Sequence, residues 1–143
     1  MRKKLMERNC PREWNLRVLT EDNFWTYCDD ARILVKEAPL ERLGLHFKRR
    51  GQNVIFVRQG LRGAERMFVL WHELAHFWLH PPGIQFFQGY NDQIEREADA
   101  VAACAMIPLP LLRHYWPSEI AELYGYPMDL IRFRQDLFEI WNL

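Results

Sequence analysis

Apolar positions along the chain change period near residue 60, and that change divides it into a strand-rich first part and a helical remainder. Residues 33–37 form a short apolar run that stops before Pro39, the length and composition of a strand. Residues 45–49 and 53–58 read as two further strands, joined by the hairpin-sized turn Arg50-Gly51-Gln52. Val54-Ile55-Phe56-Val57 is apolar on both faces, so this strand is expected at the centre of the sheet or under a helix. Before the strands, Thr20 is placed to cap a helix over residues 21–32, with Phe24, Trp25 and Cys28 on its inner face.

Beyond residue 60 the helical period takes over. Residues 62–80 form one helix ending at Pro81-Pro82. Its middle, from Met67 through Phe68, Val69, Leu70, Trp71, Leu74, Phe77, Trp78 and Leu79, is apolar nearly all round, the signature of a helix buried on every side. Residues 81–90 form a loop rich in Gly and aromatic residues, and a second long helix covers residues 92–107. Leu109-Pro110 then breaks the chain into shorter helices over 111–116, 118–124 and 127–140. The expected fold is α+β: a small sheet of about three strands packed on a buried helix, with a helical C-terminal half. Residues 1–20, carrying Arg2, Lys3, Lys4, Arg8 and Arg12, read as a loosely ordered basic arm with a short docked segment around Trp14. Residues 21–143 then make one domain, with a helix-turn-helix-like tail at 109–143.

Composition narrows the function classes. Half of the 143 residues are apolar, with six Trp and nine Phe, which argues for a packed core rather than disorder. Lys plus Arg equals Asp plus Glu at 19 each, so the net charge is zero and strong nonspecific nucleic-acid binding is disfavoured. The tail carries Arg132 and Arg134 but also Asp129, Asp136 and Glu139, a mixture that makes no phosphate-binding face. Cys10, Cys28 and Cys104 are an odd number without close spacing, which suits a reducing compartment, and Cys104 reads as a buried small hydrophobe. The longest apolar run, residues 101–112, is too short to span a bilayer and contains two prolines; no signal-peptide core follows the basic N-terminus. A cytoplasmic location is expected.

The chemistry lies on the two long helices. His72-Glu73-Leu74-Ala75-His76 places two histidines four apart, about 40° from one another round a helix, so both imidazoles can reach one tetrahedral Zn²⁺. Glu73 then stands where it can take a proton from water at the metal. A third ligand is needed, and nineteen residues on Glu95 and Asp99 share one helix face at i and i+4. Glu95 is expected as that ligand and Asp99 as acceptor of a ligand histidine's ring N–H. Glu97 lies about 200° away and cannot face the same point. An alternative reading makes Asp92 the N-cap and Glu95 its capping-box partner. His80 falls at the helix end, where a histidine more often satisfies terminal carbonyls. Tyr90, Arg113, His114 and Tyr115 are candidates for stabilising an oxyanion, and His46 is expected to face solvent.

Residues 68–80 resemble the zinc-binding helix of the ImmA/IrrE family of metallopeptidases. Residues 95–108, Glu-Arg-Glu-Ala-Asp followed by an alanine-rich run ending in Met106-Ile107-Pro108, are similar to that family's second helix. The similarity extends weakly from Phe24 to Arg134. Position 99, often Asn in the family, is Asp here, and either can orient a histidine. The resemblance implies a zinc peptidase of the gluzincin type, with His72, His76 and Glu95 as ligands. Its implied partner is a protein substrate, in better-known members a helix-turn-helix repressor. An extended substrate would pair with a strand edge supplied by residues 45–49 or 53–58. A rival of another class is a non-catalytic zinc-containing module that binds a regulator without cutting it; the presence of Glu73 favours hydrolysis.

Overall fold

The computed structural model describes residues 2–80 and 91–143. Among them are α1 (Arg2–Asn9), α2 (Glu21–Asp30), β1 (Ile33–Ala38), β2 (Gly44–Arg49), β3 (Gln52–Arg58) and α3 (Gly63–Leu79). These are followed by α4 (Asp92–Met106), α5 (Leu109–His114), α6 (Pro117–Tyr124) and α7 (Met128–Trp141). The fold is α+β, with the three-stranded mixed sheet in the first half and helices throughout the second.

Strand order is β1-β3-β2, with β3 parallel to β1 and antiparallel to β2. β3 is therefore central, as its doubly apolar sequence requires: Val54, Ile55 and Val57 are all buried. Of the two strands expected to offer a free edge, only β2 does so among the described residues; residues 53–58 are paired on both sides. The β2–β3 turn is tighter than the sequence suggests. Gln52 is already in the ladder opposite Arg49, leaving Arg50 (φ +50°) and Gly51 (φ +79°) as the two left-handed residues of a type I′ turn.

Register decides which β2 side chains face inward. Gly44 pairs with Val57 and His46 with Ile55, so both lie on the face that packs against α3. Leu45 and Phe47 take the opposite face, where Phe47 meets Phe56 edge-on at 5.3 Å.

α3 runs through the middle of the molecule with Leu70, Trp71, Leu74 and Ala75 fully buried. α4 packs along it, and the alanines of α4, Ala98, Ala100, Ala102, Ala103 and Ala105, are all fully buried. Thr20 caps α2 as expected, exchanging hydrogen bonds with Asn23 in a capping box. Phe24 and Cys28 enter the core while Trp25 stays at its rim, bonding Glu21. All three cysteines are buried thiols, and burial pushes those of Cys28 and Cys104 up to about 12.

The N-terminal segment is docked around Trp14 as expected, but the rest of it is a helix seated on the core rather than a loose arm. α1 sets Met6 fully inside the core, and Cys10, Trp14 and Leu19 follow it. The Trp14 indole N–H donates to the Val101 carbonyl at 3.0 Å, and Leu19 N–H to that of Ala105 at 2.9 Å, strapping this segment to α4. In the tail, Gly125 (φ +68°) closes α6, and α7 turns Ile131, Arg134 and Leu137 inward. Arg134 is wholly buried and spent on the carbonyls of Ile107 and Leu143 and on Asn15. It is unavailable to phosphate, as the charge mixture of this tail leads one to expect. No described helix is long and apolar enough to cross a membrane.

Candidate metal centre and active site

Helix spacing brings the two motif histidines together. His72 Nε2 and His76 Nε2 are 3.2 Å apart, with their rings inclined at 74°. Glu95 reaches across from α4: its Oε2 is 3.0 Å from His72 Nε2 and its Oε1 3.5 Å from His76 Nε2. Donors about 2.0–2.1 Å from a tetrahedral zinc lie roughly 3.3–3.4 Å from one another; the two imidazole nitrogens have that spacing, the Glu95 carboxylate approaches one of them with each of its oxygens, and one donor atom from each residue lies within 4.8 Å of the others. Two imidazoles and a carboxylate are also the donor set that zinc favours where a fourth position stays open. The residues present fit the metal.

Local chemistry at the start of α4 frees Glu95 for this position. The N-cap is Asn91, not Asp92: its side chain accepts the N–H groups of Gln93 and Ile94 at 3.0 and 3.2 Å. Glu95 is thus one residue too far along to close a capping box, and its carboxylate turns to the histidines instead. One turn further on, Asp99 Oδ1 accepts the Nδ1–H of His72 at 2.7 Å. That bond fixes the ring so that Nε2 faces Glu95 and His76.

Electrostatics follow from these contacts. Burial works against charge on His72, but hydrogen bonds to Asp99 and Glu95, with Glu73 nearby, outweigh it and raise its pKa to about 10 in the metal-free protein. The bonds from His72 and His76 hold the Glu95 carboxyl well below the usual carboxylate range. His76 is shifted down, chiefly by burial.

His80 ends α3, its backbone N–H bonding the His76 carbonyl at 2.7 Å, while its ring, expected at the terminal carbonyls, meets the side chains of His76 and Glu97. Its ring lies behind the triangle, with Nδ1 3.3 Å from His76 Nδ1 and Nε2 3.4 Å from Glu97. Glu97 is buried there and takes a bond from Gln93, so it backs His76 through His80 rather than facing Glu95.

His46 corrects the sequence expectation most sharply. It does not face solvent: its Nδ1 donates to Glu73 Oε2 at 2.6 Å, and its ring stacks on that of His76 at 4.0 Å and 14°. Leu45 and Phe47, its neighbours along β2, sit on the sheet's other face. His46, Glu73 and His76 form a second group of donors close in space. A metal takes the in-plane lone pair of an imidazole, and two nearly parallel stacked rings send those lone pairs side by side rather than to one point. The His72–His76–Glu95 group is the one whose rings converge.

Glu73 itself is 6 % exposed, and Gly44 lies directly over it. A Cβ at Gly44 would come within 2.9 Å of Glu73 Cγ, Glu73 Oε1 and Val69 Cγ1, so only glycine leaves room for the carboxylate. Among the oxyanion candidates, Tyr90 lies outside the described residues. Arg113 instead sits over the Phe138 ring at 5.9 Å, and Tyr115 is exposed. Neither these two nor His114 makes a hydrogen bond or ring contact with the metal-facing groups among the described residues.

No curated protein matches the chain in sequence. The family model of the IrrE N-terminal-like domain, peptidase family M78, matches residues 28–134, which span the sheet, both long helices and every residue of the site. The match covers most of the chain and coincides with the His-Glu-x-x-His helix and the Glu-x-x-x-Asp helix, so the protein belongs to the ImmA/IrrE family of metallopeptidases.

Proposed function

We propose that the protein is a zinc-dependent endopeptidase that cuts a protein substrate, with a helix-turn-helix transcriptional repressor as the substrate class. The observation that carries this reading is the group of His72, His76 and Glu95 donors beside a buried carboxylate, Glu73, which shares its helix with the two histidines. His72, His76 and Glu95 would hold the ion. Bound there, zinc supplies a Lewis acid that brings the pKa of water towards about 7 and polarises a peptide carbonyl.

The chain's own residues do the rest. Asp99 keeps His72 in the tautomer whose Nε2 faces the site. Glu73 accepts the proton of the attacking water and returns it to the leaving amine, the two-way use of one carboxylate that peptide hydrolysis requires. Among the described residues β2 has one unpaired side and borders the site through Gly44 and His46, so an extended substrate adding to that edge would lie alongside Glu73.

The test is co-expression with helix-turn-helix repressors encoded near the protein's own gene. Wild type should produce site-specific cuts, and Glu73→Gln, which keeps the volume and removes the proton acceptor, should slow them by about 10²–10⁴-fold. Zinc-dependent binding without cleavage by wild type would favour the non-catalytic module; undiminished cleavage by Glu73→Gln would refute the mechanism.

A further inference from the structure

Resting on the peptidase reading, we infer that His46 is a positioning residue for Glu73, a role the helix motif does not contain. Both side chains are polar groups on a core-facing surface. His46 pairs across the ladder with the fully buried Ile55, and Glu73 is buried by β2 and α3. An apolar residue would serve packing at position 46; a histidine there needs a partner to offset its desolvation. The 2.6 Å bond from His46 Nδ1 to Glu73 Oε2 satisfies both groups.

The ring's own orientation is set by its stack on His76, so the donor is aimed by the same histidine that sits in the metal-facing triangle. Glu73 has three rotatable bonds, and a proton acceptor works only within hydrogen-bond reach of its proton. His46 takes one carboxylate oxygen as acceptor while Gly44 leaves room for the other, which holds the side chain in one place. The edge strand that would receive substrate is therefore also the strand that orients the base.

Two substitutions separate the donor from the ring. His46→Phe keeps a ring able to stack on His76 and removes the N–H; His46→Asn returns an N–H near the place of Nδ1 without the ring. The readout is the affinity of the zinc-loaded protein for a peptidyl hydroxamate, whose chelating group shares a proton with the neighbouring carboxylate, measured by calorimetry. His46→Phe should bind about 10–100-fold more weakly than wild type, the worth of a charge-assisted hydrogen bond, with zinc content unchanged, and His46→Asn should recover most of the loss.

Equal affinity for wild type and His46→Phe, or no recovery in His46→Asn, overturns the inference. A measurement free of any substitution stands beside it: imidazole ¹⁵N spectra of zinc-loaded wild type should show His46 protonated at Nδ1, and a bare Nδ1 overturns the inference alone. Wild type that takes up no zinc brings down the peptidase reading and this inference together.

Discussion

Gly44→Ala puts the packing of the edge strand against the catalytic helix to a quantitative test. The added methyl carbon would stand 2.9 Å from Glu73 Cγ, Glu73 Oε1 and Val69 Cγ1. Ordinary carbon contacts are about 3.5–4.0 Å, so roughly 0.6–1 Å must open in three directions. Val69 is β-branched within a helix and buried, so it cannot turn aside cheaply. Glu73 is held by His46. The strand or the carboxylate has to move. Overpacking of this kind costs about 1–3 kcal/mol, and in a chain of this size each kcal/mol lowers Tm by about 2–4 °C. Thermal melts of the zinc-loaded protein by circular dichroism should thus show a fall of roughly 2–12 °C. If the carboxylate is what moves, a displacement near 1 Å costs about 10²-fold in rate. Val69→Ala removes one of the three clashes, so the double variant should be more stable than the sum of the two single effects. A Gly44→Ala protein that melts within about 1 °C of wild type and cleaves at the wild-type rate would refute the reasoning.

Other consequences follow from the same contacts. Asp99→Ala should weaken zinc binding by about 10–100-fold in a competitive chelator titration, since it loosens His72 without removing a donor; unchanged affinity would contradict the 2.7 Å bond. Glu97→Ala should leave zinc stoichiometry intact, because Glu97 meets His80 and Gln93 rather than the triangle. With its pKa at about 10, His72 is protonated in the metal-free protein at neutral pH, so zinc must displace that proton. The sign is fixed: at about pH 6–7, where zinc-bound water still keeps its protons, about one proton should be released per zinc and apparent affinity should rise roughly tenfold per pH unit, steepening above about 7 as the water ionises too. Calorimetry in buffers of different ionisation enthalpy counts the proton, and no release would refute the protonated state.

What the sequence made legible was the geometry that a single helix dictates. His72 with His76, and Glu95 with Asp99, are i and i+4 pairs, and each pair's common face follows from the helical period alone. The central place of β3 was legible for a similar reason, since a strand apolar on both faces has nowhere else to go. His46 and Gly44 were not, because their roles arise from the register of β2 on β3 and from the approach of that sheet to α3. A strand reading Gly-Leu-His-Phe alternates with either face inward, and only its register on β3 turns His46 towards α3. The α4 cap shows a subtler limit: Asn91 and Asp92 are adjacent residues of equal capping ability, and a shift of one decides whether Glu95 is spent on the backbone. The N-terminal segment read as a loose arm docked only around Trp14 because its charges dominate; Trp14 does dock, on α4, but the helix that sets Met6 in the core finds its site only on the assembled α3.

The claim on which the rest depends is that His72, His76 and Glu95 hold one zinc and leave a position for water. X-ray absorption at the zinc edge, combined with elemental analysis of wild type and Glu95→Ala, tests it directly. One zinc per chain is expected in wild type, in a shell of about four nitrogen or oxygen scatterers near 2.0–2.1 Å that includes two imidazoles, with no sulfur. Glu95→Ala should lose stoichiometric zinc. Full zinc occupancy in Glu95→Ala, or a sulfur scatterer at about 2.3 Å, would contradict the assignment.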